Sequence, residues 1–238
     1  VDASCPAEAG GACSQGGTAA AGRRHHWPHA RGHSGRYGSS ELVGPRNLTA
    51  SLAWSWRHPD LYIMPGANLI DSDRNIYAAV TDGVRKFSPD GKLLWHHTPP
   101  ALTPPNPSLD GGRLYGSTIG GHMYCLDIET GAEVWLVQPA DGCEMDTSYV
   151  SVDDGIVMQA FEKAPGKHLS RLSGNTRIVA VNASNGNKLW DYKSDEVFWN
   201  FMPQFVGDGT FVLMDVHGGI YRMVTRNGSR MWYTPPPE

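Results

Sequence analysis

Three groups of residues in this 238-residue sequence have side chains of the types that could do chemistry. Arg23 to His33 holds His25, His26, His29 and His33 within nine residues, and imidazole is a common metal ligand. No cysteine or carboxylate stands at ligand spacing beside them, and Pro28 prevents a helical i, i+4 pair. The stretch therefore reads as a basic arm rather than a metal centre. The second group, Asp141, Cys143, Glu144 and Asp146, offers oxygens to a hard cation such as Ca²⁺, in a spacing that matches no EF-hand loop. The third is the pair of isolated histidines His122 and His217. Either could serve as a general base or a ligand, but neither has a carboxylate or nucleophile next to it in sequence. No C-x-x-C-H haem attachment exists among Cys5, Cys13, Cys125 and Cys143. No catalytic residue, cofactor site or metal site is assigned on these groups alone; their meaning depends on the scaffold that positions them.

That scaffold is a repeat. A glycine followed four residues later by a tryptophan recurs as Gly91/Trp95, Gly131/Trp135, Gly186/Trp190 and Gly228/Trp232, and Trp54 extends the series without its glycine. The tryptophans are 41, 40, 55 and 42 residues apart, a period of one four-stranded unit. Before each pair lies an apolar run (Val84 to Phe87, Met123 to Leu126, Ile178 to Val181, Tyr221 to Val224) and then a polar turn in which glycine supplies a positive φ. About twenty residues before each tryptophan a second turn precedes another apolar run: Ile76 to Val80, Leu114 to Ile119, Ile156 to Phe161 and Phe211 to Val216. Each unit is predicted to be a meander of four strands, a to d, with the tryptophan in d. Blades are expected over about 66–97, 105–138, 148–193 and 203–234, following an irregular arm over 1–50.

The frame A-x-D-x-x-T-G-x-x-x-W resembles the tryptophan-docking motif of the pyrroloquinoline-quinone (PQQ) repeat family of β-propellers, quinoprotein alcohol dehydrogenase-like in fold. Blade two carries Cys125, Asp127, Thr130, Gly131 and Trp135 in that frame, and blade three Ala180, Asn182, Asn185, Gly186 and Trp190. Blades one and four read as having a turn one residue shorter. Residues 27 to 54 resemble the entry arm of such proteins, and Leu52 to Arg57 reads as a lone d strand. In closed propellers of this kind such a strand completes the last blade, so the expectation is a portion of a six- to eight-bladed ring, or an open arc of four blades with its edges covered. The resemblance implies an all-β fold in which the tryptophans pack one blade on the next.

Function is less determined, because this propeller serves enzymes, assembly factors and scaffolds alike. The excess length of blade three lies at Glu162 to Asn175, a basic stretch with Lys163, Lys167, His168 and Arg171. In a propeller the b–c turns and d–a connectors emerge on one face. That face is expected to gather the insertion, the acidic Glu144 and Asp146, His96, His97, His122, His217 and the aromatic pair Phe198 and Trp199. Phe198 and Trp199 read either as interface anchors or as inward packing. Enzymes of the resembled family stack a pair of adjacent cysteines on the quinone, and no adjacent pair exists here. The expectation is a non-catalytic scaffold or accessory subunit binding other proteins in a multisubunit complex, without cofactor. A PQQ- and Ca²⁺-dependent dehydrogenase, or a fragment of one, is the alternative.

Net charge is −4, so no nucleic-acid footprint is present. No apolar run approaches the length of a membrane span, although a partner could bring the chain to a membrane surface. The start at Val1 is read as a removed or missing leader, and Cys5 and Cys13 are close enough to bridge or to remain two thiols. With the resemblance, these point to an extracytoplasmic compartment: periplasm, a secretory lumen or an organelle lumen such as the thylakoid. Cys125 reads as a packed thiol, with a Cys125–Cys143 bridge left open by spacing.

Overall fold

Four times over, the chain lays down a meander whose strands pair in sequence order. The structure is a computed structural model that describes residues 28–29, 34–35, 52–60, 68–103, 106–144, 149–163 and 174–236. Blade one is β1 (Leu69–Ile70), β2 (Ile76–Val80), β3 (Gly83–Phe87) and β4 (Leu93–His97). Blade two is β5 (Ser108–Asp110), β6 (Arg113–Ser117), β7 (Met123–Asp127) and β8 (Glu133–Val137). Blade three is β9 (Ser151–Asp153), β10 (Ile156–Lys163), β11 (Asn175–Asn182) and β12 (Lys188–Phe198), and blade four is β13 (Gln204–Phe205), β14 (Thr210–Met214), β15 (Ile220–Val224) and β16 (Arg230–Thr234). Every pairing within a blade is antiparallel.

The middle strands read as nearly unbroken apolar runs because both their faces are covered. β10 is buried from Ile156 through Phe161, which an isolated sheet cannot achieve. The cover comes from the neighbouring blades. Tyr115, Met123 and Cys125 of blade two pack on Val152, Val157 and Val179 of blade three. Met158, Ile178 and Ala180 of blade three pack in turn on Phe211, Tyr221 and Met223 of blade four. Leu69, Tyr77 and Val84 join Leu114, Tyr124 and Leu126 between blades one and two.

The entrances of blades two to four converge, while the fourth strands form the exposed rim. Val150 N donates to Asn106 O (2.9 Å) and Ser108 Oγ donates to Val150 O (2.6 Å), tying the entrance of blade two to that of blade three. The described part of the arm runs across these converging strands. Leu109 N donates to Pro28 O (2.7 Å), His29 Nε2 to Val152 O (3.2 Å) and Phe205 N to Ser34 O (3.3 Å). Those bonds fall on β5, on β9 and on β13 in turn, so the arm spans blades two to four.

Three local features differ from the sequence expectation. Residues 52–58 are not a ladder strand: no neighbouring strand among the described residues pairs with them, and side chains hold them instead. The excess of blade three is partly extra strand, since β10 and β11 pair out to Lys163↔Asn175 and β12 continues to Phe198, opposite Asn175. Finally, blade four does not have a short turn. Gly228 N donates to Val224 O (2.9 Å), matching Gly131 N to Asp127 O (2.9 Å) and Gly186 N to Asn182 O (2.8 Å), whereas Gly91 N reaches only to Ser88 O (2.9 Å). The apolar Val224 in the place of Asp127 disguised that equivalence.

Candidate interaction face

Four tryptophans dock on the turn of the blade that follows them in the chain. Trp54 Nε1 donates to Pro89 O (3.0 Å), Trp95 Nε1 to Ile128 O (3.0 Å), Trp135 Nε1 to Ala183 O (2.9 Å) and Trp190 Nε1 to Thr225 O (2.9 Å). The glycine of that turn lies under the indole: a Cβ on Gly131 would stand 2.7 Å from Trp95 Cδ2, and one on Gly228 2.4 Å from Trp190 Cε3. Glycine is required twice over, because φ at Gly131 is +71°. The polar residues of the frame shape the turn. Asp127 Oδ1 accepts from Glu129 N, Thr130 N and Thr130 Oγ1, and Asn182 Oδ1 accepts from Ser184 N and Ser184 Oγ. These bonds explain the Asn-x-Ser sequences at Asn182 and Asn227 as turn chemistry.

Blade one adds a cation to this dock. Lys86, 2% exposed and directly opposite Trp95 in the ladder, donates from Nζ to the same Ile128 carbonyl (2.8 Å). Its ammonium lies 3.6 Å from Asp71 and 3.7 Å from Glu129, which compensates the charge it buries.

The b–c turns and d–a connectors lie together and are cross-linked by backbone bonds. Thr103 N donates to Thr81 O (2.8 Å), Ile119 N to Leu102 O (2.9 Å), Cys143 N to Ile119 O (3.1 Å), Glu162 N to Gly142 O (2.8 Å) and Val216 N to Val197 O (2.8 Å). A chain of connector-to-turn bonds makes the loops of this face a fixed surface. Glu144 pairs with Lys163 at 2.9 Å, and Glu144 N donates to Asn175 Oδ1 (2.8 Å), fastening the acidic connector to the blade-three hairpin. Lys167, His168, Arg171 and Asp146 lie outside the described residues.

His122 and His217 stand on this face but far apart in role. His122 Nδ1 is 3.0 Å from Thr118 Oγ1 within its own turn. His217 Nδ1 is 2.9 Å from Glu196 Oε2, a carboxylate partner twenty-one residues away that sequence spacing could not reveal. Phe198 does not present itself to a partner: it ends β12, is fully buried, and packs on Phe201 and Tyr221. Trp199, the next residue, is 39% exposed and lines a groove with Met214 and Val216. The strand's alternation sends one ring inward and the other out. Cys125 and Cys143 are not bridged to each other. Cys125 is buried between blades two and three, and burial pushes its thiol up to about 12. No group of three or more His, Cys, Asp or Glu arranged to hold a metal exists among the described residues.

One cluster was missed from the sequence. His58 Nε2 donates to Asp82 Oδ2 (2.9 Å) and its Nδ1 accepts from Asp60 N (3.0 Å). Arg85 forks onto both Asp82 oxygens (2.8 Å each), with its guanidinium 5.2 Å from the centre of the Trp56 ring. The Arg85 bonds first, then that of His58, hold the Asp82 carboxyl well below the usual carboxylate range despite its burial. The cluster pins residues 54–58 to the b–c turn of blade one. Its only sequence signal was that Trp54 required something to hold it there.

Stacked four-stranded meanders with tryptophans docked from blade to blade define a β-propeller. No helix among the described residues is long and apolar enough to cross a membrane. The chain belongs to the PQQ_2 family, whose model, described as outer membrane protein assembly factor BamB, matches residues 81–237. Among solved structures it is similar to BamB from Moraxella catarrhalis (TM-score 0.52, 18% identity, 68% of this chain and 45% of that one). It is also similar to quinohemoprotein alcohol dehydrogenase from Comamonas testosteroni (0.57, 16%, 71% and 34%) and to the computationally designed Ika8 protein (0.50, 16%, 69% and 47%). The chain thus spans less than half the length of each. At these identities the likeness is one of fold. No curated protein matches the sequence.

Proposed function

We propose that this chain is a non-catalytic propeller that binds other proteins as a scaffold or accessory subunit of an extracytoplasmic assembly, through the face formed by its b–c turns and d–a connectors. The observation that carries the reading is the series of backbone bonds fixing those loops, from Thr103–Thr81 to Val216–Val197, with the half-exposed Trp199 beside them. A preorganised loop surface with a protruding indole suits protein recognition, where rigid aromatic anchors dominate the energetics. Membership in a family described as an outer membrane protein assembly factor supports both the role and the compartment.

The residues present do not fit a quinone cofactor. The two described cysteines are not adjacent; Cys125 is sealed between blades with a raised thiol pKa, and Cys143 lies in a connector. The converging first strands of blades two to four, around which an axial cofactor would sit, are bonded to the chain's own arm.

Photocrosslinkers placed at Trp199, His217 and Glu144 test the reading against ones at Asn185 and Asn227 on the opposite turns. A discrete crosslinked polypeptide from the first set alone is expected in the native envelope. Dye reduction on addition of PQQ, Ca²⁺ and an alcohol would overturn the proposal.

A further inference from the structure

The sequence contains two Asn-Gly pairs, Asn185-Gly186 and Asn227-Gly228, and the fold places both in c–d turns on which the tryptophan of the preceding blade docks. Blades one and two carry Asp90 and Thr130 before the turn glycine instead. An asparagine followed by glycine is chemically labile, because the glycine nitrogen has no side chain beside it to hinder attack on the asparagine's own amide.

The reaction is intramolecular and consumes only water. The Gly228 backbone nitrogen gives its proton to solvent base and forms a bond to Asn227 Cγ; the bond from Cγ to Nδ2 breaks, ammonia leaves, and a cyclic succinimide remains. Water then opens that ring at either carbonyl, to aspartate or to isoaspartate, in which the main chain runs through the former side chain and is a methylene longer. Nothing is oxidised or reduced. The same steps apply to Asn185 and Gly186.

In the docked turns both reacting groups are engaged. Gly228 N donates to Val224 O (2.9 Å) and Gly186 N to Asn182 O (2.8 Å), so each nitrogen keeps its proton. Asn227 Oδ1 accepts from Ser229 N (3.0 Å) and Ser229 Oγ (2.8 Å), and Asn185 Oδ1 accepts from Asn187 N (3.0 Å), which ties each side chain to the residue beyond its glycine. The asparagines are exposed while the glycines are buried, Gly186 under Trp135 and Gly228 under Trp190. The labile amide stands in water, and the neighbouring blade's indole covers the nitrogen that would attack it.

We propose that Asn185 and Asn227 are latent modification sites, silent while the blade junctions are closed and converted to isoaspartate when a junction opens, so that a transient separation of blades leaves a covalent mark. The added methylene shifts the glycine relative to the carbonyl that the tryptophan bonds, Ala183 O for Trp135 and Thr225 O for Trp190, and the dock does not re-form. This stands apart from whatever the loop face binds, since both turns join the third and fourth strands of their blades on the opposite side.

The test incubates the full chain in mildly alkaline buffer beside synthetic peptides of residues 182–190 and 224–232. Mass spectrometry of digests locates the amides lost, and methyl transfer by an isoaspartyl methyltransferase counts isoaspartate. Both sites in the native chain should convert on the order of a hundredfold more slowly than in the peptides, since only the open fraction reacts. Trp135→Phe keeps a ring over Gly186 but removes the bond to Ala183 O; it should speed Asn185 roughly tenfold, the scale of one hydrogen bond, and leave Asn227 as in wild type. Trp190→Phe should do the reverse. Circular dichroism first establishes that each variant is folded, and the native chain against the peptides carries the test alone where one is not. Chain converted while unfolded in urea and then returned to buffer should show a lowered urea midpoint, whereas an Asn185→Gln, Asn227→Gln double variant treated alike should keep its own. The inference is overturned by native conversion at the peptide rate, by folded Phe variants that speed both sites alike or neither, or by converted chain whose midpoint is unchanged.

Discussion

Truncating two chemically identical side chains, Trp135→Ala and Trp232→Ala, in the chain of residues 1–238 should have very different consequences, because among the described residues only Trp135 has a following blade to dock on. Trp135 is 8% exposed, so nearly all of a side chain that covers roughly 150–250 Å² is out of water. At ~25 cal/mol/Å² that area corresponds to about 4–6 kcal/mol, an upper figure because the denatured chain already covers part of it. Its N–H bond to Ala183 O adds about 1 kcal/mol. The void left against Gly186 and Val137 cannot collapse easily, since backbone forms one wall, so a net loss of about 3–5 kcal/mol is expected. Trp232 is 42% exposed and makes no such bond among the described residues, so its removal from this chain should cost about 1 kcal/mol. Urea denaturation followed by far-UV circular dichroism, with the slope held common, reads both. Equal losses, or a larger one for Trp232, would refute the claim that inter-blade docking rather than packing within each blade makes these tryptophans stabilising.

Three further outcomes follow from the same geometry. Gly131→Ala forces a methyl into the Trp95 ring at a φ of +71° and should cost about 2–4 kcal/mol, while Gly111→Ala, at +52° with open space around it, should cost about 1 kcal/mol; thermal denaturation of both gives the contrast. Asp82→Asn should destabilise by about 2–3 kcal/mol at neutral pH, less than a fully buried pair because Asp82 retains some exposure. Because the folded Asp82 carboxyl lies below its unfolded value of about 3.9, its stabilisation is complete above that pH and lost as acid is added. The gap between wild type and variant in urea midpoints should therefore be constant near pH 6–7 and shrink below about pH 4. Iodoacetamide near pH 8 should leave Cys125, whose thiol is pushed up to about 12, unlabelled until the protein unfolds, and mass spectrometry of digests before and after urea reads this.

Much of the candidate site was readable because a repeat compares a chain with itself. Gly131 and Trp135 signify little alone; beside Gly186 and Trp190 they identify a turn and the strand after it. The reading failed where a unit departed from its siblings by one side chain, as when Val224 replaced the aspartate and made the turn of blade four look short. In blade three it placed the excess in a loop, whereas the residues lengthen the strands, and of the two readings left open for Phe198 the sheet takes the one of buried packing. His58, Asp82 and Arg85 were invisible because no periodicity connects a segment before the first blade to a turn within it.

The sequence by itself determined the four-stranded unit, the four copies within it and the indole that each copy carries, since alternating burial and glycine's access to positive φ are local requirements that every copy must meet. Only the tertiary structure decided which surfaces are fixed, which are open and which charges meet. The pairings of His217 with Glu196 and of Lys86 with Glu129 depend on how one blade is rotated against the next, and that angle is set by the packing of whole sheet faces.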